Sequence, residues 1–194
     1  MEAVQDVFFA NFSVSVMLDS NGSNTTAAAA VLKIRESIKL KGKNVVILAG
    51  TGPVGVRAAA LFAMEGASVT ITSRSQDKAD RKAENIMREY NLENISGIEA
   101  NTAAEFKEVI KNKDVILSAG PPKINFLTES MWKNTEGIKI MADINAVSPA
   151  GIEGIDPQAD GENLEGIKVF GAMGIGGLKM KLHKKAVSEL FKDN

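Results

Sequence analysis

From Asn44 onward the chain alternates short apolar runs with amphipathic stretches: "VVILAG", "GVRAAALFAMEG", "SVTITSR", "DKADRKAENIMREY", "ISGIEA", "AAEFKEVIKN", "DVILSAG", "FLTESMWKN" and "IKIMAD". Several apolar runs are continuous in Val, Ile and Leu, the pattern of strands buried on both faces of a parallel sheet. The stretches between them suit helices in right-handed crossovers. The pattern predicts an α/β domain of Rossmann-like, doubly wound type, a mostly parallel sheet with helices on both faces. Upstream, "FSVSVMLD" (Phe12 to Asp19) alternates large apolar with small or polar residues and predicts a half-buried strand. "DSNGSNTTAAAAVLKIRESIKL" follows with several N-cap candidates and a helix bearing Val31, Leu32, Ile34 and Ile38 at helical spacing. Downstream, "INAVSPAGIEGIDPQADGENLEG" has no period and predicts a loop across the sheet rim. "IKVFGAMGIGGLKMKLHKKAVSELF" reads as a last strand, a glycine-rich turn and a closing helix.

Composition narrows the chemistry. At 194 residues and 44% hydrophobic content, the chain can bury one good core. A formal net charge of −1, with Lys and Arg scattered among acids, gives no reason to expect nucleic acid or a membrane surface as partner. The absence of cysteine excludes disulfides, thiolate metal sites and Cys nucleophiles, and the single His183 leaves no His-rich metal centre. With no leader-like opening and no bilayer-length apolar run, a soluble cytoplasmic protein is expected. Apolar "VFFANF" (Val7 to Phe12) predicts self-association into a homo-oligomer.

The chemistry concentrates in "AGTGPVG". Gly50, Thr51, Gly52, Pro53, Val54 and Gly55 fit G-x-G-x-x-G between a predicted strand and a predicted helix, the context of a dinucleotide site. Gly50 permits the tight turn, Gly52 lets backbone approach a pyrophosphate, and Gly55 allows close helix–sheet packing. Pro53 suits the first helical turn. In NAD-preferring sites an acid stands about 20 residues on. Here the second strand ends in Thr72, Ser73, Arg74 and Ser75, whose hydroxyls and guanidinium suit a 2′-phosphate, so NADP is the expected cofactor, with Lys78 as a second phosphate contact. Asp77 stands close by, and the alternative is that Arg74 is a solvated surface residue with the acid supplied elsewhere, and Lys78 part of an exposed helix face. "DVILSAGPP" predicts a strand whose end, at Ala119 and Gly120, passes the nicotinamide ribose, or a simple strand stop. Asp143 and Asn145, ending "IKIMADINA", are further cofactor-edge candidates.

Three longer strings, "MLDSNGSNTTAAAAV", "VVILAGTGPVGVRAAALFAMEG" with "SRSQDKA", and "FGAMGIGGLKMKLHKKAV", closely resemble the NADP-dependent methylene-tetrahydromethanopterin (methylene-tetrahydrofolate) dehydrogenases over nearly the whole chain. The resemblance implies reversible hydride transfer between the methylene carbon of a tetrahydromethanopterin or tetrahydrofolate substrate and NADP. It implies that Asp19, Ser20, Asn21, Gly22, Ser23, Asn24 and Thr25 lie at the cleft between cofactor and substrate domains, although the same residues make a good helix N-cap. It implies that Lys179 and Lys181 close the nicotinamide side, against a reading as a solvated helix face; Asp19 and Asn21 join them as catalytic candidates. His183 reads more simply as a surface or satisfied helical residue. Relatives of this kind carry an additional N-terminal segment, so the substrate domain is expected to be largely absent. Residues 1–40 would then be its remnant strand and connecting helix, and residues 41–194 the NADP-binding Rossmann domain. The relatives' "DYNAQPPLG" stands here as "DINAVSPAG", with Ile144 in place of the aromatic. A shikimate-dehydrogenase-like oxidoreductase and a non-catalytic NADP-binding module are the alternatives.

Overall fold

The computed structural model describes residue 6 and residues 14–192. In chain order the elements are α1 (Ser23–Ser37), β1 (Asn44–Leu48), α2 (Pro53–Met64), β2 (Ser68–Ser73), α3 (Gln76–Tyr90), β3 (Ile95–Glu99) and α4 (Ala103–Val109). There follow β4 (Val115–Ser118), α5 (Glu129–Lys133), β5 (Ile140–Asp143), β6 (Asp160–Leu164), β7 (Ile167–Phe170) and α6 (Ala172–Glu189).

The strands form one seven-stranded sheet in the order β3-β2-β1-β4-β5-β7-β6, parallel except for β6. The order reverses direction between β1 and β4, so the crevice beyond their carboxyl ends is where such sheets bind ligands. Alternate strand residues feed two cores. Val45, Ile47, Val69, Ile71, Val115 and Leu117 face one core with residues of α1, α2, α3 and α6. Val46, Leu48, Ile116 and Met141 face the other with Trp132 of α5 and Val109 of α4. Burial on both faces accounts for the continuous apolar runs of β1 and β4. Ala27, Ala29 and Ala30 of α1 and Ala58, Ala59, Ala60 and Ala63 of α2 are buried, and such small side chains let neighbouring helices approach closely.

Three expectations are corrected. Residues 14–19 of the predicted Phe12–Asp19 strand carry no regular structure. No described strand pairs with them, Val14 and Leu18 are exposed, and alternation without a ladder partner does not make a strand. The predicted rim loop contains β6, which returns along β7 through a two-residue turn with both Glu165 and Gly166 at positive φ. The predicted glycine-rich turn after β7 is helix: α6 starts at Ala172 and includes Gly174, Gly176 and Gly177. Gly174 is required there, since a Cβ would meet Ala159 O at 2.2 Å. The predicted interface segment Val7–Phe12 lies outside the described residues. Among those residues no helix is long and apolar enough to cross a membrane.

Candidate functional site

The turn from β1 into α2 divides its work among the three glycines. A Cβ on Gly50 would lie 2.9 Å from both Ile47 O and Ile71 Cβ, and one on Gly55 would lie 2.5–2.7 Å from Gly50 backbone atoms. A Cβ on Gly52 would meet nothing nearer than Ala49 O at 3.9 Å. The first and third glycines therefore allow strand, turn and helix to pack, while the second leaves open space where a phosphate can approach the backbone. The first-turn N–H groups of α2 have no intrahelical acceptors and front that space. This cradle fits the diphosphate of a dinucleotide. Ala49, just before it, has φ 51° and donates its N–H to Thr72 Oγ1 at 2.9 Å. Left-handed backbone costs a residue with a Cβ about 1–2 kcal/mol, part of which glycine loses again in chain entropy. Ala49→Gly is expected to raise stability by about 0.5–1 kcal/mol, read as a higher midpoint in thermal unfolding.

A cleft of about 490 Å³ opens in front of the turn. Thr51, Gly52, Pro53 and Val54 line its centre; Ser73, Arg74 and Lys78 line one end, and Ala119, Gly120, Pro121 and Ile144 the other. Between them Phe106, Ile124 and Phe126 form an apolar wall, with the Phe106 and Phe126 rings edge to face at 5.4 Å. Gly120 makes room for that wall: a Cβ there would sit 2.3 Å from the Phe126 ring. Arg74 and Lys78 enter no ion pair among the described residues, and no carboxylate lines the cleft. Ser75 is the N-cap of α3, its Oγ accepting from Lys78 N at 3.4 Å. Asp77 does not line the cleft.

An acid nevertheless stands behind Arg74. Glu99, at the end of β3, accepts from Gln76 N at 3.0 Å and from Asn101 Nδ2 at 2.8 Å, while Asn101 Nδ2 also reaches Arg74 O at 3.2 Å. The Gln76 side chain accepts in turn from Glu99 N at 2.8 Å. These bonds commit the Glu99 carboxylate to the backbone of the Arg74–Gln76 turn. Sequence reading missed Glu99 and Asn101, as it missed Phe106, Ile124 and Phe126, because strand pairing of β2 with β3, helix α4 and the loop after β4 bring them in from distant positions.

At the other end, Asp143 is buried and accepts from Asn145 N and Ile152 N, both at 2.9 Å, tying the following loop to the sheet. Asn145 Nδ2 donates to Pro121 O at 2.9 Å, joining that loop to the one after β4. Burial pushes the Asp143 carboxyl above its ordinary value, against the pull of those N–H donors. Beside it lies the buried Ser118 Oγ, which also pulls the Asp143 carboxyl down.

The segment expected at the domain cleft folds as a 3-10 turn, Ser20–Gly22, ahead of α1. Asp19 caps the helix across that turn: Oδ1 accepts from Asn24 N at 2.9 Å and Thr25 N at 3.2 Å, and Oδ2 from Thr25 Oγ1 at 2.7 Å. Asn21 is exposed, with φ 51°. From α6, His183 Nδ1 stands 3.4 Å from Asp19 Oδ2, and Lys179 Nζ lies 2.6 Å from where a Gly22 Cβ would be. Lys181, two residues on and so about 200° around the helix, is exposed and is not brought to this turn.

Burial would raise the Asp19 carboxyl, but the bonds from Thr25, Asn24 and His183 outweigh it and hold the group below its ordinary 3.8. A carboxyl lowered in the folded state adds stability that is complete above the ordinary value and lost as pH falls through the lowered one. Asp143 has the opposite sign, since its charging above 3.8 opposes folding. Asp19→Asn is therefore expected to lower stability by about 1 kcal/mol at neutral pH and to flatten the loss of stability on the acid side. Unfolding midpoints across pH 3–7, with Asp143→Asn run alongside, check both signs.

Comparison with known proteins places this geometry. Residues 30–159 match the shikimate/quinate 5-dehydrogenase family. The chain is 44% identical over 195 residues to the bifunctional protein MdtA of Methylorubrum extorquens, a match covering all of this chain and 67% of that protein. It is 32% identical over 188 residues to the NAD(P)-dependent methylenetetrahydromethanopterin dehydrogenase of the same organism, covering 92% of this chain and 63% of that one. The chain thus spans about two thirds of the length of these relatives. Among solved structures, a transhydrogenase from Sinorhizobium meliloti superposes with a TM-score of 0.67 at 17% identity, covering 88% of this chain and 56% of that one, a likeness of fold. On these matches and this cleft, the chain belongs to the family of the bifunctional protein MdtA and, through residues 30–159, to the shikimate/quinate 5-dehydrogenase family, and it carries an NAD(P)-linked dehydrogenase fold.

Proposed function

We propose that this chain is the NADP-binding part of a dehydrogenase of one-carbon carriers, catalysing hydride transfer between N5,N10-methylene-tetrahydromethanopterin, or methylene-tetrahydrofolate, and NADP. The observation that carries the cofactor choice is the pair of cations, Arg74 and Lys78, lining one end of a cleft that no carboxylate lines. Gly52 and the start of α2 would hold the diphosphate, Ser73, Arg74 and Lys78 the 2′-phosphate, and Ala119, Gly120 and Asn145 the nicotinamide end. The substrate class is supported by the named relative at 32% identity.

The reaction is methylene-pterin plus NADP⁺ giving the methenyl cation plus NADPH. When bound, the nicotinamide supplies the hydride acceptor. The pterin nitrogens stabilise the cation left behind, so no protein group has to move a proton. The contribution of this chain is then position and exclusion of water. The Asn145–Pro121 bond fixes the floor of the cleft at its Gly120 end, and Lys179, beside the Asp19–Gly22 turn, orients the carrier. Residues 1–40 would belong to the substrate side and residues 41–194 to the cofactor domain.

The test mixes the chain with NADP and methylene-tetrahydromethanopterin and follows the absorbance of reduced nicotinamide, with NAD, methylene-tetrahydrofolate and shikimate in parallel. NADPH formation from a methylene-pterin supports the reading. Turnover of shikimate alone, or tight NADPH binding without turnover of any pterin, overturns it in favour of the second family or of a cofactor-binding module.

A further inference from the structure

Adjoining the dinucleotide cleft, and sharing Thr51, Gly52, Pro53 and Val54 with it, lies a further cavity of about 460 Å³. Its walls are Ser20, Asn21 and Ser23 of the Asp19–Thr25 segment, the shared glycine turn, Arg57 of α2 and Lys82 of α3, and no carboxylate lines it. Arg57 is fixed in place by neutral acceptors, donating from Nε to Asn24 Oδ1 and from Nη1 to Pro53 O at 2.8 Å. Neither Arg57 nor Lys82 enters an ion pair among the described residues. Lys78 lines the dinucleotide cleft and Lys82, one helical turn on, lines this cavity, so α3 gives one lysine to each.

The far flank of the same turn carries Lys179 and His183. Asp19, the acid between them, has its oxygens taken up by the start of α1. Arg57 and Lys82 thus set two cations on a cavity that no carboxylate lines, which is what an oxyanion site requires. Pre-fixing of Arg57 lowers the ordering cost of binding there.

We propose that this cavity is an oxyanion subsite that takes the carboxylate- or phosphate-bearing tail of the one-carbon carrier. Arg57 is the fixed anchor and Lys82 the mobile one. The identity of the ligand rests on the pterin reading above; the cavity and its charge do not.

The test is calorimetric titration of the chain with p-aminobenzoyl-diglutamate, an acidic tail without a pterin ring, alongside NADPH, in the wild type, Lys82→Met and Lys82→Glu. Lys82 makes no hydrogen bond among the described residues, so these variants leave the fold intact, as thermal unfolding checks. The tail probe is expected to weaken about fivefold in Lys82→Met and more than tenfold in Lys82→Glu, with NADPH affinity changed by less than about twofold. A tail probe that does not bind, or binds all three proteins alike, overturns the subsite. Weakened NADPH with an unaffected tail assigns the cavity to the cofactor and overturns it equally. If methylene-pterin turns over while the tail is insensitive to Lys82, the subsite fails alone; if neither turnover nor pterin binding occurs, the functional reading fails with it.

Discussion

Gly55→Ala is expected to destabilise the chain by about 3 kcal/mol and to abolish measurable dinucleotide binding. The added methyl would stand 2.5–2.7 Å from the oxygen, Cα and carbonyl carbon of Gly50, and none of these is the end of a flexible side chain that can swing away. Either α2 lifts from the sheet or the turn shifts, and both movements displace the N–H groups that front the cleft. Gly52→Ala is the control. Its methyl meets nothing within 3.9 Å and its φ of −79° suits alanine, so the unfolding midpoint should stay close to wild type while dinucleotide affinity falls. Thermal unfolding paired with NADPH fluorescence titration separates the two outcomes. Equal behaviour of both variants would refute the division of labour among the glycines.

Arg74→Leu is expected to weaken NADPH binding about 10–100-fold while leaving NADH within about threefold, the magnitude of losing a charge-assisted bond to phosphate. The guanidinium makes no described bond to protein, so its removal disturbs no neighbour. The Glu99–Gln76–Asn101 bonds hold the backbone of this turn independently of the Arg74 side chain. Titration with adenosine 2′,5′-bisphosphate and with AMP reads the same difference without turnover. Parallel losses for both nucleotides would sink the 2′-phosphate assignment.

The sheet and the glycine turn were legible because their signals are local. β1, β2, β4 and β5 announce themselves as apolar runs, and a G-x-G-x-x-G between strand and helix has few other uses. What was not legible depends on partners far along the chain. The Phe12–Asp19 alternation is a genuine strand pattern, yet no described strand offers it a ladder. Glu99 reaches the Arg74 turn only because β2 pairs with β3 in a register setting Ser73 opposite Glu99. Phe126 enters the cleft because Gly120 leaves room for its ring. β6 was hidden because its polar residues, Asp160, Glu162 and Asn163, are exposed at the sheet edge and leave no periodic apolar trace. The glycines after β7 read as a turn from propensity alone, and tertiary contact overrode propensity.

That override bears on how the molecule moves. Three glycines within the first six residues of α6 cost that stretch about 3 kcal/mol of intrinsic helix stability relative to alanine. Only Ile175 of this helix is fully buried, and Gly174 sits directly against the Ala159 carbonyl that precedes β6. The start of α6 is therefore held helical by its contacts with the Pro157–Ala159 segment that leads into β6. Its opening is expected to be a sub-global event, cheaper than unfolding the β1–β4 core. Lys179 and His183 lie beyond these glycines, where α6 packs on α1 and Leu178 and Leu182 meet the core, so hydrogen exchange is expected to be faster at Gly174–Gly177 than on the flank that meets the Asp19–Gly22 turn.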